Sequence, residues 1–230
     1  MNDKLVKLKF NNKNLKKIQL KQKNIISVIP FAIYFSAFAM LVAAWLQPKV
    51  SFSILFRDVF VAASVQPYYG LFSNIGIFLW SATAAILLFC GTVLISINKK
   101  PKHSKFMLSF GCFTLFLTMD DFFMLHERVF PALLGIPEKL TFLVYTIIAA
   151  YCLFKFRKII YNSYYIIFFA AILFLFLSII VDQVIPSSSY LFKAGDSYFF
   201  EDSFKFIGII SWCFYFIKVS GEQIISLLKE

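Results

Sequence analysis

Residues 71–97 read LFSNIGIFLWSATAAILLFCGTVLISI, 27 residues without a charged side chain. At about 1.5 Å per helical residue, such a stretch crosses the roughly 30 Å of hydrocarbon in a bilayer. The whole chain shares this character, because 60% of its 230 residues are hydrophobic, only 15% are charged, and the mean hydropathy is +0.77. Water-soluble domains of this length do not carry so much apolar material. The sequence therefore predicts an integral membrane protein.

Five more apolar stretches surround this one, and the first of them, residues 25–46, also lacks any charge. We predict an all-α bundle that forms one membrane domain over residues 25–219, between a basic N-terminal segment (1–24) and a tail (220–230). Its six transmembrane helices are expected at about 25–46, 71–97, 106–125, 140–156, 164–181 and 198–217.

A seventh apolar segment, residues 50–64, is interrupted by Arg57 and Asp58. It is too short and too charged to span the bilayer. We expect it to lie along the outer surface of the membrane that the helices span, at the boundary between lipid and water.

The basic residues predict the orientation of the bundle. With six spans, 17 of the 23 Lys and Arg residues fall on the side that holds both termini, and six fall on the other. The positive-inside rule then places both the N-terminus and the C-terminus in the cytoplasm. Basic residues beside membrane spans contact lipid headgroups, so we expect membrane lipids, and no nucleic acid, as partners of the basic segments.

The acidic residues show the opposite asymmetry, since nine of the twelve lie on the outer side or in the outer half of a span. Carboxylates contribute little to membrane orientation, so topology does not require this bias. The nine are Asp58, Asp120, Asp121, Glu127, Glu138, Asp182, Asp196, Glu201 and Asp202.

Two segments concentrate these charges, TMDDFFMLHE at 118–127 and FEDSFKFIG at 200–208. Counted from the inner flanks, their charged residues lie at a matching height of roughly 20 to 25 Å. A carboxylate inside a membrane costs about 2.5 to 3.5 kcal/mol, so these groups must face one another or water. We predict an outward-opening polar pocket between the third, fifth and sixth spans.

Within the third span, residues seven apart return to nearly the same face of a helix. Asp120, Phe123 and Glu127 are therefore expected to share one stripe of a continuous helix. In the sixth span, Lys205 follows Glu201 by four residues and Asp202 by three, so it can balance one acid locally.

Carboxylates beside an imidazole are ligands for a divalent metal ion, and they also suit a cationic substrate or a polar headgroup. The chain lacks the second His of an H-E-x-x-H motif, and it has no C-x-x-C pair, nucleophile elbow or phosphate-binding loop. The predicted metal ligands are Asp120, Asp121, His126, Glu127, Glu201 and Asp202, with Lys205 balancing charge and Asp182 as an additional candidate.

Several alternatives stay open at this point. The acids can pair with Lys205 and Arg128 and simply tie helices together, or they can relay protons or ions. A metal-dependent lipid hydrolase, a transporter, and a structural subunit with membrane-protein partners are further alternatives.

The acidic pair followed by His126-Glu127, together with the acidic pair that opens the last span beside Lys205, resembles a loose group of uncharacterised bacterial six-helix membrane proteins. The resemblance covers these two motifs and the helix count. It implies a location in the bacterial cytoplasmic (inner) membrane and importance of the polar cluster, and it implies no particular activity.

Overall fold

The computed structural model describes residues 34–56, 59–184 and 196–229, and every regular element within those ranges is helical. The predicted all-α class is therefore confirmed. The chain divides into two compact units, Met1–Tyr69 and Gly70–Glu230.

The first unit contains three helices in its described part. Helix α1 covers Tyr34–Leu46, followed by α2 (Phe52–Phe56) and α3 (Val59–Ala63). Two short helices thus occupy the segment predicted to lie along the interface. Residues 25–33 of the predicted first span, and residues 57 and 58 between α2 and α3, lie outside the described residues.

The second unit contains the long helices, which alternate with short connections. In chain order they are α4 (Leu71–Ser96), α5 (Pro101–Phe123), the short α6 (Phe130–Leu134), α7 (Glu138–Tyr161), α8 (Tyr165–Val184) and α9 (Asp196–Leu228).

Five helices in the described part of the chain, α4, α5, α7, α8 and α9, are long and apolar enough to cross a membrane. This is a multi-pass membrane protein. The sixth span and the cytoplasmic placement of both termini stay predictions. Helix α9 continues through Leu228, so the segment predicted as a tail extends the last helix by about two and a half turns.

Helices α4, α5, α8 and α9 pack closely around an aromatic core. Phe110 contacts the rings of Phe106, Phe168, Trp212 and Phe216 at centroid distances of 4.9 to 5.9 Å. Aromatic pairs at such distances add attraction beyond their buried area. This core fixes the four helices relative to one another.

Two glycines allow the helix backbones in this core to approach closely. A Cβ atom at Gly91 of α4 would lie 2.7 Å from the side chain of Leu108, and one at Gly208 of α9 would lie 2.8 Å from Leu175. Small residues at helix contacts are the usual means of tight packing in membranes. The pairs α4–α5 and α8–α9 depend on these positions.

Helix α7 is held differently. It contacts α5, α8 and the segment after α5 at only a few positions. Most of its apolar side chains, such as Ile147 and Phe154, are exposed on the protein surface, where the lipid of a bilayer would cover them. Its inner face borders a cavity, and that cavity contains the candidate site.

Candidate functional site

The site forms where helix α5 ends and the chain changes direction. Met124 adopts a left-handed backbone conformation with φ of 52°, which ends α5 at Phe123. Leu125–Val129 then forms a π-helical segment before α6 begins, a geometry that is often found at functional sites. The expectation of one continuous helical stripe through Asp120 and Glu127 was wrong, because the helix ends between them.

The break brings His126 back onto Asp120, a carboxylate with only 3% of its surface exposed. Asp120 Oδ2 lies 2.6 Å from His126 Nδ1. Its Oδ1 accepts hydrogen bonds from the backbone N–H of His126 at 3.0 Å and from the Tyr145 hydroxyl at 2.8 Å. Because the carboxylate is the acceptor, Nδ1 of the imidazole carries the proton. Asp120 thus fixes both the tautomer and the orientation of the ring.

The other ring nitrogen of His126 faces two more acids. His126 Nε2 lies 3.6 Å from Glu127 Oε1 and 4.0 Å from Glu138 Oε1. The ring of Phe142 lies against the imidazole with its centroid 4.8 Å away. Burial lowers the pKa of His126, but the hydrogen bond and the charge of Asp120, with a contribution from Glu127, outweigh burial and raise the pKa above its ordinary value.

Asp121 points to a different group of partners. Lys205 Nζ donates to Asp121 Oδ1 at 2.8 Å, and Trp80 Nε1 donates to Oδ2 at 3.1 Å. These contacts join α5 to both α9 and α4. The neighbouring carboxylates at 120 and 121 therefore belong to separate hydrogen-bonded clusters.

Both clusters line one cavity of about 660 Å³, which is bordered by α4, α5, α7, α8 and α9. Among its described lining residues, Lys205 is the only Lys or Arg. Seven carboxylates face it, namely Asp120, Asp121, Glu127, Glu138, Asp182, Glu201 and Asp202. The seven acids outnumber the two basic groups of the lining, His126 and Lys205, so the cavity is acidic.

The charged residues occupy one end of the cavity. Along α7 the lining runs from Glu138 to Leu153, which corresponds to roughly 22 Å. Below the acids the walls become apolar, with Phe113, Leu153, Ile172 and Trp212 among the lining residues. The cavity is therefore acidic at one end and apolar at the other.

All eight residues singled out in the sequence as ligands, as charge balance or as an additional candidate line this cavity. The sequence did not assign three further residues to the site, Tyr145, Trp80 and Glu138. Tyr145 and Trp80 carry no distinguishing sequence signal, since each sits in an apolar helix. Glu138 did carry a sequence signal, because it is an acidic residue on the outer side of the membrane at the start of a predicted span.

The predicted metal-ligand set is divided between the two clusters. In the ranges that the structure describes, no group of three or more His, Cys, Asp or Glu side chains is arranged to hold a metal ion. Asp120 and His126 Nδ1 are engaged with each other, and Asp121 is engaged with Lys205 and Trp80. The six-residue set as a metal site stays a prediction.

A family described as Domain of unknown function (DUF8692) matches residues 31–219, a range that contains every residue of the cavity. No curated protein and no solved structure matches the chain.

Proposed function

We propose that this chain, which belongs to the family described as Domain of unknown function (DUF8692), binds the positively charged headgroup of an organic molecule inside the membrane. One observation carries the proposal. Glu127, Glu138, Asp182, Glu201 and Asp202 face the cavity in addition to the two acids that His126 and Lys205 match.

The cost of these carboxylates supports a cationic occupant. A charge at the centre of a membrane costs about 2.5 to 3.5 kcal/mol, and acids near one membrane face cost less but still gain from a positively charged partner. An ion that enters such an acidic cavity recovers part of this cost, and the low dielectric of the surroundings strengthens the attraction. The same charges would repel phosphate or carboxylate ligands.

The aromatic walls favour an organic ammonium group over a bare metal ion. Trp80, Phe142 and Tyr145 line the cavity beside the acids, and aromatic faces attract ammonium groups by cation–π interactions. A divalent metal ion needs several oxygen ligands that converge at about 2.0 to 2.6 Å. The described residues supply carboxylate oxygens, but no three of their His, Cys, Asp or Glu side chains converge in this way.

The orientation predicted from the basic residues gives the site a location. With both termini in the cytoplasm, the acidic end of the cavity lies in the outer half of the bacterial inner membrane. A headgroup from the outer leaflet would reach it without crossing the bilayer.

A second candidate is hydrolysis of a bound lipid, and the Asp120–His126 contact favours it. An imidazole oriented by a carboxylate through Nδ1 presents Nε2 as a proton acceptor, or as a ligand of a catalytic metal ion. The charge of the cavity argues against this candidate, because an oxyanion that forms during hydrolysis would be surrounded by carboxylates. Binding of a cationic headgroup is therefore favoured over hydrolysis of a bound lipid.

The test is a titration of the purified protein in nanodiscs of zwitterionic lipid with butyltrimethylammonium and, separately, with magnesium, followed by calorimetry. We expect saturable binding of the ammonium ion, weakened about tenfold in Glu201→Gln and in Glu138→Gln, as loss of one partly buried charge partner implies. The matched control is Glu222→Gln, since Glu222 accepts a hydrogen bond from Tyr164 and lies outside the cavity.

Equal affinities in wild type and in both cavity variants would contradict the proposal. Stoichiometric magnesium binding without ammonium binding would favour the metal-site alternative. If neither ion binds and the protein co-purifies with membrane partners, the structural-subunit alternative gains support.

A further inference from the structure

We infer that the cation bound at the acidic end carries a hydrocarbon chain, and that this chain lies in the apolar remainder of the cavity. The ligand class is a cationic single-chain amphiphile. The inference rests on the proposed cation binding and deepens it by naming the substrate class.

The cavity is larger than an ammonium headgroup. Ligand pockets of roughly 300 to 1,000 Å³ hold drug-sized molecules, and this cavity of about 660 Å³ lies in the middle of that range. An ammonium headgroup would fill only the acidic end. The rest of the volume needs a second, larger part of the same ligand.

The deeper walls of the cavity offer few polar groups. Among the described lining residues, three side chains carry a hydroxyl group, Tyr145, Thr146 and Ser178. The Tyr145 hydroxyl donates to Asp120. The hydroxyl of Thr146 is already engaged, because it donates to the Phe142 carbonyl oxygen at 2.8 Å. Ordered water requires two to four polar partners, so this region suits hydrocarbon rather than water.

The cavity extends along two helices. The lining of α7 descends from Glu138 to Leu153, and that of α8 descends from Asp182 to Ile172, which correspond to roughly 22 Å and 15 Å along the helix axes. On α7 the lining includes the small side chains of Ala149 and Ala150. A volume that extends along two helices beneath a charged end suits the length of a single-chain amphiphile.

A path from the lipid to the cavity lies between α7 and α8. Helix α7 meets α8 at few positions, and both helices are membrane spans. A hydrocarbon chain can therefore enter between them from the lipid without passing through water. The cavity is acidic toward one membrane face and apolar toward the membrane interior. An amphiphile in the adjacent leaflet has its headgroup and its hydrocarbon chain arranged in the same direction.

The experiment measures chain-length dependence with butyl-, octyl- and dodecyltrimethylammonium, using wild-type protein in zwitterionic nanodiscs and subtracting the uptake by empty nanodiscs. Each methylene group that leaves water for the cavity improves affinity roughly fourfold. We expect octyltrimethylammonium to bind at least tenfold more tightly than butyltrimethylammonium in the wild type.

The decisive variant is Ala149→Trp, which fills the apolar part of the cavity and leaves every acid in place. It should reduce the affinity for octyl- and dodecyltrimethylammonium to within about threefold of that for the butyl compound, whose own affinity should not change. Ala85→Trp is the matched control, because Ala85 is exposed on α4 and does not line the cavity. If Ala149→Trp does not fold, the smaller replacement Ala150→Leu takes its place.

The outcomes separate the two proposals. If all three ammonium ions bind with equal affinity, or if Ala149→Trp binds the long-chain ions as the wild type does, the hydrocarbon inference is overturned while cation binding stands. If no ammonium ion binds at any chain length, cation binding fails, and the inference fails with it.

Discussion

Asp120 Oδ2 and His126 Nδ1 lie 2.6 Å apart although the two residues are separated by six positions, a spacing that puts side chains on different faces of an unbroken helix. The left-handed backbone conformation of Met124, which lies between them, turns the chain so that this contact can form. Since Tyr145 donates to the same carboxylate, this one pair links the end of α5 to the π-helical segment and to α7. It forms the wall from which His126 Nε2 faces the acids.

Replacing Asp120 with Asn should destabilise the protein, because the amide cannot accept the hydrogen bonds of His126 and Tyr145 equally well and no longer matches the imidazole charge. Hydrogen bonds to charged groups contribute about 1.5 to 3 kcal/mol. Thermal unfolding in nanodiscs is the measurement. Tyr145→Phe removes a single hydrogen bond to the same carboxylate and should cost less, about 1.5 kcal/mol, so a larger loss in Tyr145→Phe than in Asp120→Asn would contradict this account.

The stability of the bundle should depend on pH through His126. Its pKa is raised in the folded protein, so the stabilisation from the charged imidazole is fully present below the unfolded pKa of about 6.5 and is lost as the pH rises through the folded pKa. The groups acting on it are Asp120, Glu127, Lys205 and the nearby Glu138.

The measurement is the unfolding temperature across this pH range in wild type and in His126→Gln. The variant should lose this part of the pH dependence, and His103→Gln, at the opposite end of α5, should retain it. Identical profiles in wild type and His126→Gln would refute the assignment.

Removing either partner of the Lys205–Asp121 ion pair should lower the free energy of unfolding, because the other charge is left without its partner. Removing one partner of a fully buried pair costs about 3 to 5 kcal/mol. Here the Lys205 side chain is 32% exposed and Asp121 10% exposed, so screening lowers the expected cost of Lys205→Met to about 2 kcal/mol. The double replacement Lys205→Met, Asp121→Asn should recover part of the loss in a double-mutant cycle. Strictly additive effects would show that the pair does not interact.

Gly91→Ala tests the close approach of α4 and α5. The new methyl group would lie 2.7 Å from Leu108, and overpacking of this kind costs about 1 to 3 kcal/mol. Gly221→Ala is the control, since nothing lies within 4 Å of its Cβ position and alanine favours a helix. The Gly91 variant should unfold at lower temperature than wild type, and the Gly221 variant should not.

The orientation predicted from basic residues is open to a labelling experiment. A cysteine placed at Gly135, in the connection between α6 and α7, should react with a membrane-impermeant maleimide in intact cells. One placed at Asn98, between α4 and α5, should react only after the membrane is opened. The four native cysteines are replaced by Ser or Ala first. The reverse pattern would invert the topology.

Much of the helical plan followed from the sequence. The bounds of α4 agree with the predicted 71–97 to within one residue, since long uncharged stretches have few alternatives to a membrane helix. The end of α5 was placed two residues too late. Met124 is an apolar residue with no glycine or proline beside it, so its left-handed conformation had no local signal.

The sequence by itself determined that this is a helical membrane protein with acids gathered at one height, because hydrophobicity and charge are properties of each local stretch. Only the tertiary structure decided that Asp120 engages His126 while Asp121 engages Lys205. It also decided that α7 borders a cavity with Glu138 at its acidic end. The Asp121–Lys205 contact and the α7 wall depend on how separate helices pack around the aromatic core, and the Asp120–His126 contact depends on the left-handed turn at Met124.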